Sequence, residues 1–209
     1  MTVRTLFLRE GTSDDGIAEH IENIAAGLGI EVALTNPDLD RLNARGHAIG
    51  DKLSRVRDLG GFYEVVAVHR DADNAGHQPR VREIDEAVRA YMPGVVHVPV
   101  VPVRMTEAWL LVDEPAIRRV AGNPNGRCAL DLPQVSKVET IADPKKLLKQ
   151  VLATASELSG RRLKRFNDRF PENRRQLLQR LDTDGPVTQL PSWQAFVHAV
   201  EDGLYRCGS

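Results

Sequence analysis

Four short apolar runs alternate with helix-like segments through the first half of the chain, and this alternation limits the fold more than any other feature. The runs are residues 2–9, 30–34, 63–69 and 95–103. They are rich in Val, Leu and Ile and closed by turn residues, as buried strands are. Between the first two, Ile17, Ile21, Ile24, Ala25 and Leu28 recur at helical spacing. Ile49, Leu53 and Val56 do the same within 38–60, and Val81, Ile84, Ala87, Val88 and Tyr91 within 80–92. Strands separated by helices predict a mainly parallel sheet with helices on both faces, a three-layer α/β/α core over residues 1–113. The fourth run carries Pro99 and Pro102. Proline has no N–H to give to a ladder, so this strand is predicted at an edge or as irregular.

From Asp113 onward the pattern changes. Pro115, the cluster Gly122-Asn123-Pro124-Asn125-Gly126 and Pro133 mark loops. Asp143-Pro144 then starts a helix, with an acid as cap and proline in the first turn. Leu147, Leu148, Val151 and Leu152 give that helix an apolar stripe, and further helices are expected at 171–182 and 192–205. Residues 114–209 are therefore read as a mostly helical C-terminal extension. Its residues 145–181 hold eleven Lys and Arg against three Asp and Glu, a local charge of about +8 in a chain whose net charge is -1. Lys145, Lys146, Lys149, Arg161, Arg162, Lys164 and Arg165 are the candidate nucleic-acid contacts. The same side chains equally suit a solvated helical face.

The candidate chemistry sits where strands end. Glu10 follows the first run, and Asp71 and Asp73 follow the third. Ligands of open parallel sheets bind at the carboxyl ends of the strands. Residues i and i+2 of a strand share a side, so Asp71 and Asp73 are expected to face one ion while Ala72 points away. With strands in the order 2-1-3-4, Glu10 joins the pair. Carboxylates gathered without neutralising partners need a hard cation, and oxygen ligands point to Mg²⁺ or Mn²⁺. Glu107 is a fourth candidate, opening a short helix just after the fourth run; it also suits an ordinary first-turn acid beside a buried Trp109. His69 and His77 flank the acids as proton relays, or as a packed strand residue and an exposed loop residue. Asp14 and Asp15 are read as acids favoured by a helix N-terminus.

Several other chemistries are disfavoured. His69-Arg70-Asp71 lacks the asparagine that a kinase catalytic loop places five positions on; Gly76 stands there. Asp71-x-Asp73 lies on the wrong strand for an aspartate-based phosphatase. There is no Gly-x-x-x-x-Gly-Lys phosphate loop. Cys128 and Cys207 fit neither a disulfide framework nor a zinc spacing. No apolar run approaches the ~20 residues that span a bilayer. A cytoplasmic protein without a membrane segment is expected.

Glu10-Gly11 at the end of the first strand, with Asp71-Ala72-Asp73 after the third, resembles the Toprim fold. That fold is shared by topoisomerases, bacterial primases, recombination mediators and nucleases related to the phage "overcoming lysogenization defect" proteins. The stretches Arg9–Asp14, Arg70–Asp73, Pro102–Leu111 and Asp143–Lys146 are similar to a family of small Toprim-like proteins of the DUF4276 type, a resemblance that would extend over most of the chain. The resemblance implies a nuclease in which Glu10, Asp71, Asp73 and Glu107 bind one or two Mg²⁺ or Mn²⁺ ions, acting on DNA or structured RNA. Lys145 or Lys146 would neutralise charge in the transition state. It further implies an ABC- or SMC-like ATPase partner in phage defence. The alternative is a non-catalytic Toprim-like module that binds a partner ATPase or nucleic acid. No zinc ribbon of a primase is present, and Tyr63, Tyr91 and Tyr205 sit in structural places rather than as a topoisomerase nucleophile. A homo-oligomer is left open.

Overall fold

The computed structural model describes residues 2–38 and 48–208. Along the chain run β1 (Thr2–Leu8), α1 (Gly16–Gly27), β2 (Glu31–Thr35), α2 (Ile49–Asp58), β3 (Val65–His69), α3 (His77–Tyr91), β4 (Val96–Val100), α4 (Glu107–Leu110), α5 (Glu114–Val120), α6 (Pro144–Ser156), α7 (Gly160–Asp168), α8 (Phe170–Gln179) and α9 (Pro191–Gly208). Two compact units result, Met1–Val101 with Ala195–Ser209, and Pro102–Gln194. The sequence placed a boundary at residue 113 instead. Two contacts explain the earlier division. Trp109 stacks edge-on against Trp193, and the last helix returns its tail to the sheet.

In the first unit the four strands are parallel in the order β2-β1-β3-β4. β3 is central, and all five of its residues are buried. β2 lies at one edge and alternates exposed with half-buried positions. β4 forms the other edge, with Pro99 in register with Val68, as its prolines predicted. Leu6, Leu8, Val66 and Val68 pack on one face against Ile49, Leu53 and Val56 of α2 and Ile84 and Val88 of α3. Burying one such side chain stabilises by about 1.5–3 kcal/mol. Phe7, Ala67 and Val98 align on the opposite face. There Gly203 of α9 lies so close that a Cβ on it would come within 2.6 Å of Val98 Cγ2. Helices therefore cover both faces. The helix expected across 38–60 is seen as Ile49–Asp58, and residues 39–47 of that expectation lie outside the described residues.

The second unit is helical, as expected. Asp143 caps α6 by accepting the Lys146 N–H at 2.8 Å, and Asp113 caps α5 by accepting the Ala116 N–H at 2.9 Å. Trp109 is fully buried, with its ring centroid 5.0 Å from that of Trp193, and its Nε1 donates to Ser192 Oγ at 2.8 Å. Pro115 lies in the first turn of α5 where a loop was expected, and helix α7 was not anticipated. Leu163 and Phe166 are its only large apolar residues, and none of its side chains is fully buried. Among the described residues no helix is long and apolar enough to cross a membrane.

Candidate functional site

β1 and β3 are neighbours with Leu8 opposite Val68, so the segments that follow them leave the sheet side by side. This brings Glu10 and Asp71 together: Glu10 Oε2 accepts the Asp71 N–H at 2.9 Å. Lys52 of α2 donates to the Arg9 carbonyl at 2.7 Å and to the Glu10 carbonyl at 3.3 Å, holding that turn in place. β3 stops at His69, so the alternation expected of Asp71 and Asp73 does not reach them. Instead Ala75 and Gly76 both bond back to the Ala72 carbonyl. Asp73 adopts a left-handed φ of 45° and turns toward Arg80, its carboxylate 3.7 Å from that guanidinium.

His69 lies buried beneath this turn. Its Nε2 is 3.4 Å from Asp71 Oδ1 and its Nδ1 is 3.6 Å from Asp14 Oδ2. Burial alone lowers its pKa. The hydrogen bond to Asp71, with the charges of Asp14, Asp71 and Glu10, outweighs this and raises the pKa above the ordinary 6.5. The Glu10 N–H, 3.4 Å from Nδ1, would favour a neutral ring. That contact is long, and carboxylates face both ring nitrogens, so the pKa stays raised in spite of it. Asp14 is itself buried and accepts the Gly11 N–H at 3.1 Å. The sequence treated it as a helix-terminus acid, because no spacing along the chain relates it to His69.

Two arginines complete the cluster. Arg70 lies 3.6 Å from Glu10 and 3.7 Å from Glu83. Arg80 makes a 2.6 Å charge-assisted bond to Glu83, which raises the pKa of its guanidinium further. Each expected metal ligand of this unit thus faces a basic side chain: Glu10 faces Arg70, Asp71 faces His69, and Asp73 faces Arg80. The carboxylates suit Mg²⁺ or Mn²⁺ in kind. In arrangement they do not fit: among the described residues no three His, Cys, Asp or Glu side chains are grouped to hold a metal ion.

Glu107 belongs to the second unit. It is 3 % exposed, and the equally buried Arg174 donates to it from Nε at 2.9 Å. Its carboxylate is held in a buried ion pair beside Trp109, the structural role open to it from the start. Lys145, Lys146 and Lys149 are exposed on α6, and Arg161, Arg162, Lys164 and Arg165 are exposed on α7. His77 opens α3 and is half-buried. Cys128 is an exposed free thiol, and burial pushes the Cys207 thiol pKa up. No protein-family model, curated protein or solved structure matches the chain.

Proposed function

We propose that the first unit is a Toprim-like phosphodiester hydrolase, a nuclease acting on DNA or structured RNA. One observation carries this reading: Glu10 and Asp71 meet at the carboxyl ends of the two central parallel strands, the carboxylate of one on the N–H of the other. The 2-1-3-4 strand order, with acids after β1 and β3, supports the Toprim-like assignment. The resemblance to DUF4276-type proteins supports an ABC- or SMC-like ATPase as partner and a role in phage defence.

The side chains contribute charge placement. Arg70 and Arg80 each keep a buried Nε without a hydrogen-bond partner, a donor suited to a phosphate oxygen. A phosphodiester that engages these guanidiniums competes with Glu10, Asp73 and Glu83 for them. His69, protonated at Nε2, holds the Asp71 carboxylate in position. A divalent ion, when bound, would supply water activation and charge neutralisation. The carboxylates as they stand are not grouped for one, so no catalytic step is assigned to it.

The test is cleavage of plasmid DNA, single-stranded DNA and tRNA in Mg²⁺ or Mn²⁺. Glu10→Gln and Asp71→Asn are expected to reduce cleavage to background. Cleavage that persists in both variants, or in a chelator, refutes the reading.

A second reading, a non-catalytic module that binds an ATPase or nucleic acid, is favoured by the pairing of Glu10, Asp71, Asp73 and Glu107 each with a basic side chain of its own unit. It predicts no heat of Mn²⁺ binding at millimolar concentration. It also predicts that Asp71→Asn alters stability alone.

A further inference from the structure

The second unit contains a cavity of about 510 Å³ that the acidic cluster does not share. Arg162, Arg165 and Arg169 line it from one face of α7 and its C-terminal cap, at positions i, i+3 and i+7. Asn173 of α8 lines it as well, and Phe166 and Leu158 give it an apolar wall. Small-molecule sites occupy roughly 300–1,000 Å³ and combine apolar walls with a few convergent polar groups.

Two features say that this cavity lacks a partner. Among the described residues none of the three guanidinium groups makes an ion pair, although like charges on one helix face repel. Asn173 is 6 % exposed, and its Nδ2 has no hydrogen-bond partner. Native proteins rarely leave a buried donor unmatched, because its lost hydration is not recovered. An anion bound here answers both. Planar guanidinium forks match phosphate oxygens in pairs, and Phe166 offers a flat face on which a ring can stack.

We propose that this cavity binds a small phosphorylated ligand of nucleotide type. Its phosphate is held by Arg162, Arg165, Arg169 and the Asn173 amide, and its ring lies against Phe166 and Leu158. The site stands apart from the nuclease reading of the first unit, since all its residues belong to the second. A nucleoside carrying a terminal phosphate has two sources, a free nucleotide or the 5′-phosphorylated end of a strand.

Calorimetric titration of the whole chain decides the matter, using ADP, adenosine, inorganic phosphate, and a trinucleotide with a 5′-phosphate or a 5′-hydroxyl. ADP or the 5′-phosphorylated trinucleotide should bind at least about tenfold more tightly than phosphate, adenosine or the 5′-hydroxyl trinucleotide. That ligand should also raise the Tm. Tighter binding of ADP identifies a free nucleotide, and tighter binding of the trinucleotide a strand end. Arg165→Glu and Arg169→Glu should each weaken binding at least about tenfold. Arg175→Glu, which makes the same charge change at an exposed arginine of α8 outside the cavity lining, should leave it unaltered. Asn173→Leu keeps the side-chain size and removes the orphan donor. It should weaken binding while the ligand-free Tm holds or rises. Absence of binding at millimolar ligand overturns the proposal. So does binding of phosphate as tight as ADP, or equal weakening by Arg175→Glu.

Discussion

In the first unit Glu10, Asp14, Asp71, Asp73 and Glu83 face His69, Arg70 and Arg80 at 2.6–3.7 Å, while in the second Arg162, Arg165 and Arg169 line a cavity and face no carboxylate among the described residues. The acids are the more conspicuous group in the sequence, yet the structure neutralises them locally. The arginines read equally well as a solvated helix face, yet they retain uncompensated charge beside an orphan amide. A cluster of one sign along the chain thus says little about which charges await a ligand. What matters is whether the opposite sign has arrived by tertiary packing.

The sharpest way to break this comparison is to remove one arginine of each kind. Arg174→Met leaves Glu107 buried without its cation, which should cost about 3–5 kcal/mol. Arg165→Gln removes an exposed, unpaired charge and should change stability by less than about 0.5 kcal/mol. Denaturant unfolding followed by the fluorescence of Trp109 and Trp193 measures both. Equal costs would mean that pairing in the second unit carries no weight.

The next effect concerns His69 in the first unit. Its folded pKa is raised above 6.5, so the native state binds the proton more tightly than the unfolded chain does. Its stabilisation is complete below pH 6.5 and is lost as pH rises through the folded value. The Tm of the wild-type chain should therefore fall from slightly acidic to alkaline pH more steeply than that of His69→Gln. Parallel curves for the two proteins would show that the ring is neutral and the cluster less closed than its geometry indicates.

The smallest effect is local. Asp143→Ala removes the cap of α6 and should cost about 1 kcal/mol, measured by the same unfolding experiment. A much larger loss would show that α6 depends on its cap rather than on Leu148, Val151 and Leu152.

Strand and helix positions in the first unit were legible because they are written in local periodicity. Pro99 announced an edge strand, and Ile49, Leu53 and Val56 announced the inner face of α2. The meeting of Glu10 with Asp71 followed from strand order. Helix α7 was not legible, since its apolar residues are too few for a stripe and its arginines gather on a cavity instead of a core. Asp14 was missed as a partner of His69. Glu107 was assigned to a metal because its partner Arg174 lies far along the chain.

The sequence by itself determined the alternation of strands and helices, the cap at Asp143, and the placing of acids after β1 and β3. Each depends on residues within a few positions of one another. Only the tertiary structure decided which charges are satisfied: the His69 ring between Asp14 and Asp71, the buried pair of Glu107 with Arg174, and the unpaired arginines of α7. Charge pairing and desolvation depend on distance through space, and spacing along the chain does not encode that distance.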